Sequence, residues 1–459
     1  MKHSIFLCHL ASVKLVRSQY IVASSVDSNE VFDGFVSYSI EFSSFPDFAG
    51  FIDPARSSDY PTTITIGPSY FESYNTWKDV KFYHGFNLGL GANRSSGWQT
   101  LLDTVPLACK ALSGGKLYVW GYGNEPDLYA VSAQGPVRPP DWNEETYVDQ
   151  WLNGTRMIKT LVEEHCPEMA TDEAFGFMAP SFAGVGIQLK APETWEAGLN
   201  EDNNIKLFST HNYISGAASP GVTLQDTLMN HAVTKRSVDD HIKKYNGVND
   251  VSSGPVPPLI FGECNSLYNQ GRPGLSNTFG AALWGVDFNL YSASVGFRRV
   301  HMHMGTNYRY QPFQPISTSL TTQGTKAPYY GSILVAAALG NFHATSPATV
   351  SSIPLTSETA SLSLQPEAAY AIYTHSASRL ARLVVLNMRS YNTTVDGAGL
   401  VPVEDPPSRP ETEYVFVLEG LEAGRTVGVR RLWANGSDAI TGITWDGWTY
   451  NWEVDGGGQ

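Results

Sequence analysis

The chain has 459 residues, of which 42% are hydrophobic, 12% aromatic and only 16% charged, and its formal net charge is −14 with a pI near 5.2. That profile is globular and turn-rich rather than disordered, and the length suggests two or three domains. The acidic balance, with no basic stripe, excludes an electrostatic nucleic-acid binder, and no apolar run reaches the ~20 residues of a membrane span.

In chain order, Lys2 and the apolar Ile5–Val13 resemble a signal peptide, although His9 interrupts the run and Lys14 and Arg17 stand where a small-residue cleavage site belongs. Val31–Phe42 alternates like a strand and ends near Glu41. Thr63–Ile66 and Lys81–His84 are short strand candidates stopped by Gly67-Pro68 and Gly85, and Gln99–Leu112 has helical spacing that Pro106 should bend or split. Leu117–Trp120 reads as a buried strand that breaks in Gly121, Gly123 and Asn124-Glu125-Pro126. Proline disfavours the α region for the residue before it, so Glu125 falls where strand pairing ends. A carboxyl beside aromatics at a strand end is well placed to hold a proton and donate it.

Glu144–His165 reads as an amphipathic helix, Phe175–Ala179 as a strand, and Ile205–Tyr213 as a strand ending in His211, Asn212 and Tyr213. A long helical stretch covers Leu224–Tyr245, and Leu259–Gly262 is a buried strand that delivers Glu263. Asn277–Ala293 reads as a helix and Val295–Met304 as a strand carrying His301 and His303. From about Tyr329 the texture changes: an apolar Leu334–Leu339 precedes β-type runs at Tyr370–Thr374, Arg382–Asn387, Tyr414–Leu418, Thr426–Leu432 and Ile443–Tyr450, with a Pro-rich loop at Val401–Pro410.

Strands alternating with helices, each strand ending in polar groups, describe an α/β fold: a (β/α)8 TIM barrel over 31–328, followed by a C-terminal β-sandwich over 329–459. Chemistry in such a barrel lies at the C-terminal rim, so Glu125 and Glu263 would share one mouth. Taken alone, an Asn-Glu-Pro tripeptide is most simply a turn with an exposed Glu; the second carboxylate reverses that reading. Two facing carboxylates are what retaining glycoside hydrolysis needs.

Other chemistries lack their parts. G-x-S-x-G, H-E-x-x-H, the P-loop and the dinucleotide fingerprint are absent. His301 and His303 share a strand face, but no third metal ligand is implied, and they read as polar rim or core residues; no cofactor or metal is expected. Cys264, beside Glu263, reads as a packed thiol. The four cysteines contain no C-x-x-C pair and do not decide the compartment, and the sequons at Asn93, Asn153, Asn392 and Asn435 permit secretion without arguing for it.

The segments Ser37–Gly50, Ile66–Glu72, His84–Gly89, Gly123–Leu128, Phe261–Tyr268 and Asn307–Pro315, in this order and spacing, resemble glycoside hydrolase family 79, which includes β-glucuronidases and is related to the heparanases. The resemblance implies a secreted retaining exo-β-glucuronidase that removes terminal glucuronic acid, or its 4-O-methyl form, from an oligosaccharide or proteoglycan. By the same resemblance Glu125 is the acid/base and Glu263 the nucleophile, oriented by Tyr213. Asn124 would bind the sugar 2-hydroxyl and Glu41 the ring hydroxyls, while Tyr268, Tyr310 and backbone N–H groups near Asn269 and Gln270 would receive the carboxylate. Residues within 1–30 would form a leader and add a strand to the β-domain.

One departure stands out. Glu41 and Glu125 are separated by only 83 residues, and the second barrel strand is missing between them, as if one βα unit of roughly 40 residues were absent. The alternatives are an inactive, carbohydrate-binding or defective product, or a related endo- or exo-glycosidase.

Overall fold

The computed structural model describes residues 19–25, 30–50, 66–90, 95–340, 347–355, 363–374, 379–420, 424 and 426–450. The signal-like start, the run Thr63–Thr65 and the Asn93 sequon lie outside the described residues.

Its elements begin with β1 (Gln19–Val22), β2 (Val36–Ile40), α1 (Phe45–Phe48), α2 (Pro68–Glu72), β3 (Phe82–Phe86), α3 (Ser95–Leu112) and β4 (Leu117–Tyr122). Next come α4 (Glu144–His165), β5 (Phe177–Phe182), α5 (Ala191–Glu196), β6 (Ile205–Gly216), α6 (His231–Val251), β7 (Leu259–Tyr268), α7 (Phe279–Ser294) and β8 (Arg299–Met304). The chain finishes with the short β9 (Phe313–Gln314) and β10 (Gly324–Thr325), α8 (Ala327–Leu339), β11 (Ala348–Ile353), β12 (Glu367–Thr374), β13 (Arg379–Asn387), β14 (Val415–Leu418), β15 (Leu432–Trp433) and β16 (Thr444–Trp445).

Seven strands form one parallel sheet in the order β2-β8-β7-β6-β5-β4-β3. The expected α/β architecture is seen in part, as seven parallel strands. The complete barrel is not seen, because among the described residues no ladder joins β2 to β3 and both remain edges. Aromatic packing occupies that side instead. Phe42 stacks on Tyr70 at 5.2 Å, Phe45 meets Tyr74 at 4.8 Å, and Tyr74 meets Phe82 at 4.9 Å. The Tyr74 hydroxyl lies 2.6 Å from His84 Nδ1, tying α2's flank to β3.

The helices follow their local chemistry. Asn143 and Thr146 form a reciprocal capping box that starts α4, at 3.0 and 3.1 Å. Pro106 does not split α3, which runs unbroken; the carbonyl it leaves undonated belongs to Leu102, a partly exposed residue. The expected Leu224–Tyr245 helix is interrupted, because Asn230 caps a new helix at His231 with its side chain on the Ala232 N–H. A disulfide joins Cys109 of α3 to Cys166 at the end of α4.

Helix α7 is buried along nearly its whole length and lies among α6, α8 and β11, as a helix apolar on every side must. Gly331 of α8 permits this approach: a Cβ there would sit 2.5 Å from the Ala282 carbonyl oxygen. Beyond α8, β11-β12-β13 form an antiparallel sheet whose β12 is buried on both faces. Tyr370 and Ile372 enter the main core, while Ala369, Ala371 and Tyr373 enter a second core shared with Val22, Tyr20 and Phe416. That second core covers the parallel pair β1-β14, and Tyr20 meets Phe416 at 5.5 Å. The expected β-sandwich is therefore visible as small sheets of three and two strands, and the run Thr426–Leu432 forms only the end residue of β15. Among the described residues no helix is long and apolar enough to cross a membrane.

Candidate active site

The polar groups gather at the ends of β2, β4 and β8 and partway along the longer β6 and β7. These two run on past His211 and past Glu263, where the sequence suggests a strand end. At the end of β4, Glu125 takes a left-handed backbone conformation with φ 50°, uncommon for a residue with a Cβ and typical of functional turns. Its N–H donates to the Ser181 carbonyl of β5 at 3.0 Å, and Pro126 opens a single 3-10 turn behind it. This turns the Glu125 carboxylate toward β6, where His211 Nδ1 lies 3.0 Å from Oε1.

On β6, His211 and Tyr213 are two residues apart and so point to the same side. The parallel register sets His211 beside Glu263 of β7. Tyr213 donates to Glu263 Oε1 at 2.6 Å, a short charge-assisted bond. One donor atom each from Glu125, His211 and Glu263 lies within 4.8 Å of the other two. Such spacing also suits a cation, but the Tyr213 hydroxyl already donates into Glu263 and the His211 ring is engaged by Glu125. Those bonds suit a proton-carrying pair better than a metal shell.

His303 of β8 stands on the far side of Glu263. Its Nδ1 is 2.9 Å from the Ser39 hydroxyl and 3.7 Å from Glu263 Oε2, and its Nε2 is 3.9 Å from Glu41 Oε2. Tyr308 donates to the same Glu41 oxygen at 3.3 Å. Three carboxylates thus alternate with two imidazoles around the mouth. Burial pushes the Glu263 carboxyl up, but the His303 and His211 imidazoles and the Tyr213 hydrogen bond outweigh it, so the group is held below the usual carboxylate range. Burial and the Glu263 charge keep Tyr213 protonated far above neutrality, as its donor role requires. Burial lowers His211, yet Glu263 and Glu125 more than compensate and its pKa is raised.

Tyr310 is buried with its ring 6.2 Å from Tyr213 and 6.1 Å from His303. The Arg309 N–H donates to the Gln270 carbonyl at 2.8 Å, bringing the turn after β7 beside it. Asn269 and Gln270 are both left-handed, at φ 62° and 66°. Gly271 follows at φ 76°, and a Cβ there would lie 3.0 Å from the Tyr310 ring. Tyr268 is half exposed and lies over Gly216, where a Cβ would come within 2.5 Å of its ring. Of the residues expected from the sequence, Glu41, Glu125, Tyr213, Glu263 and Tyr310 therefore converge, while Asn124 and Tyr268 stand exposed at the rim.

His301 and His303 do not act together. His301 Nδ1–H donates to the Phe261 carbonyl at 2.7 Å with its ring edge-on to Tyr83, and burial lowers its pKa to about 3. The Cys264 thiol donates to the His301 carbonyl at 3.2 Å, and burial pushes it well above its ordinary range. Sequence reasoning gave no role to His211, His303, Tyr308 or Asp127. Strand periodicity offered one signal, since His211 shares a face with Tyr213.

Residues 369–459 match the glycosyl hydrolase family 79 C-terminal beta domain. A beta-glucuronidase of Neurospora crassa is 58% identical over 524 aligned positions, which cover 100% of this chain and 92% of that protein. A beta-glucuronidase of Aspergillus niger is 47% identical over 471 positions, covering 92% of this chain and 83% of that protein. The fold is also that of a 4-O-alpha-L-rhamnosyl-beta-D-glucuronidase from Fusarium oxysporum 12S, solved with Rha-GlcA, at TM-score 0.68 and 22% identity over 95% of this chain and 92% of that one. By the extent and identity of these matches, the chain belongs to glycoside hydrolase family 79.

Proposed function

We propose that the chain is a retaining exo-β-glucuronidase that releases terminal β-D-glucuronic acid, plain or 4-O-methylated, from oligosaccharide or proteoglycan ends. The carrying observation is the approach of Glu125 and Glu263 to within 4.8 Å. Retaining glycosidases hold their carboxyl groups about 5 to 5.5 Å apart, whereas inverting ones leave roughly 6.5 to 9.5 Å for a water between them. The names of the two relatives support the substrate.

In this reading Glu263, kept ionised by Tyr213 and the imidazoles, attacks the anomeric carbon. Glu125 protonates the departing oxygen, leaving a glycosyl ester on Glu263. Glu125 then takes a proton from water, which attacks the same carbon and frees Glu263. Tyr268, Tyr310 and the N–H groups at Asn269 and Gln270 receive the glucuronate carboxylate, Glu41 holds ring hydroxyls, and Asn124 reaches the 2-hydroxyl. Neutral donors are suited to this, since an arginine beside the site would pull the acid's pKa down.

We further read the catalytic part, 31–328, as a barrel that lacks its second βα unit, with the β-domain at 329–459. Two observations support this: β2 and β3 are edges, and the Neurospora alignment spans 524 positions against the 459 residues of this chain. The Cys109–Cys166 disulfide supports an oxidising, extracellular destination.

Hydrolysis of 4-nitrophenyl β-D-glucuronide by the wild-type chain, abolished in Glu263→Gln, is the expected result. Full activity in that variant would remove Glu263 from its role. The open edge between β2 and β3 favours a second reading, an inactive or defective product. A melting curve without a cooperative transition, together with no turnover, would select it.

A further inference from the structure

Asp127 is the second carboxylate of the Gly-Asn-Glu-Pro-Asp turn, and the chemistry above does not use it. It is 0% exposed. Its Oδ1 accepts the Ala183 N–H at 2.9 Å, while its Oδ2 is buried without a hydrogen-bond partner among the described residues. Ala183 directly follows β5, whose Ser181 carbonyl accepts the Glu125 N–H. The end of β5 therefore grips the Glu125 turn on both sides, and the Trp142 indole N–H closes it from behind by donating to Pro126 O at 2.9 Å. The titratable groups facing Asp127 are Glu125 in its own turn, His211 of β6 and Tyr147 of α4, with no lysine or arginine among them.

We propose that Asp127 is a positioning residue of the acid/base centre: it clamps the left-handed Glu125 turn to β5, and its own charge holds the proton on the His211 imidazole that contacts Glu125. This rests on the reading of Glu125 as the acid/base. A carboxyl with one unpartnered oxygen in a dry site resists ionising beside another carboxylate. Burial pushes Asp127 up to about 7, and the Glu125 charge raises it further against the Ala183 N–H and His211. The Asp127 charge is in turn among the causes that raise the His211 pKa.

The test compares the wild-type chain with Asp127→Asn, which keeps an oxygen for the Ala183 N–H but never ionises, and with Asp127→Ser as a smaller alternative. The kcat/KM profile on 4-nitrophenyl β-D-glucuronide should lose its alkaline limb roughly one pH unit earlier in Asp127→Asn. The acid limb should stay in place, and kcat at the optimum should remain within about tenfold. The His211 imidazole titration, followed by NMR in both proteins, should move to lower pH without any need for turnover. An active Asp127→Asn enzyme with unmoved limbs and an unmoved His211 midpoint overturns the proposal. Failure of both variants to fold also overturns it, leaving Asp127 a structural residue only. A wild-type chain that hydrolyses no glucuronide sinks the functional reading instead, and the NMR midpoint still decides the role of Asp127.

Discussion

Tyr213 and Glu263 stand on adjacent parallel strands, and the 2.6 Å bond from the tyrosine hydroxyl to Glu263 Oε1 fixes both the position and the charge of the carboxylate. The bond spans the register: Tyr213 lies level with Asn265, so its side chain reaches back along β7 to meet Glu263. Tyr213→Phe keeps the ring and removes the donor. A hydrogen bond to a charged group contributes about 1.5–3 kcal/mol, so kcat/KM should fall by roughly 10- to 100-fold. The acid limb of the pH profile should also move to higher pH, because Glu263 loses one of the contacts that hold its pKa down. Steady-state kinetics over a pH series check both.

The imidazole of His231 lies 2.9 Å from Asp287, which also accepts the Tyr370 hydroxyl at 2.6 Å, joining α6 and α7 to β12. Burial lowers the His231 pKa, but the Asp287 charge and hydrogen bond outweigh it and the net shift is upward from 6.5. A raised folded-state pKa gives stability that is complete below about 6.5 and is lost as pH rises through the folded value. The Tm of the wild-type chain should therefore decline above neutrality more steeply than that of His231→Asn. Parallel slopes in thermal melts across pH 6 to 9 would contradict this.

Reduction of the Cys109–Cys166 disulfide should lower stability without touching the mouth, since the bridge ties α3 to the end of α4 outside the sheet. Cys109→Ser with Cys166→Ser should cost about 2–4 kcal/mol. Urea unfolding, compared with the wild type in the presence and absence of reductant, measures it.

Much of this arrangement was legible in the primary structure because apolar runs mark buried strands. The runs before Glu125 and Glu263 are apolar up to a glycine, and β4 and β7 bring both carboxylates to one rim, although β7 itself continues past Glu263 to Tyr268. Tyr213 and Glu41 came from the family resemblance and lie at the same mouth. Less was visible where tertiary contact decides. Pro106 stays inside an unbroken helix, and the helix expected from Leu224 restarts at His231 because the Asn230 side chain caps it. His301 and His303 read as polar rim or core residues without distinction; only the fold shows one imidazole turned to a backbone carbonyl and the other set between two carboxylates. The role of Asp127 was hidden because its partner, Ala183, is 56 residues away in sequence.

The central claim is that Glu263 carries the sugar covalently while Glu125 manages the protons. Incubation with 2-deoxy-2-fluoro-β-D-glucuronyl fluoride, followed by mass spectrometry of the intact chain and its peptides, tests it most directly. The account predicts one added glycosyl group per chain, located on Glu263, with a hydrolysed substrate that keeps its β configuration. A label on another residue, or an inverted product with no label in an active enzyme, would contradict it.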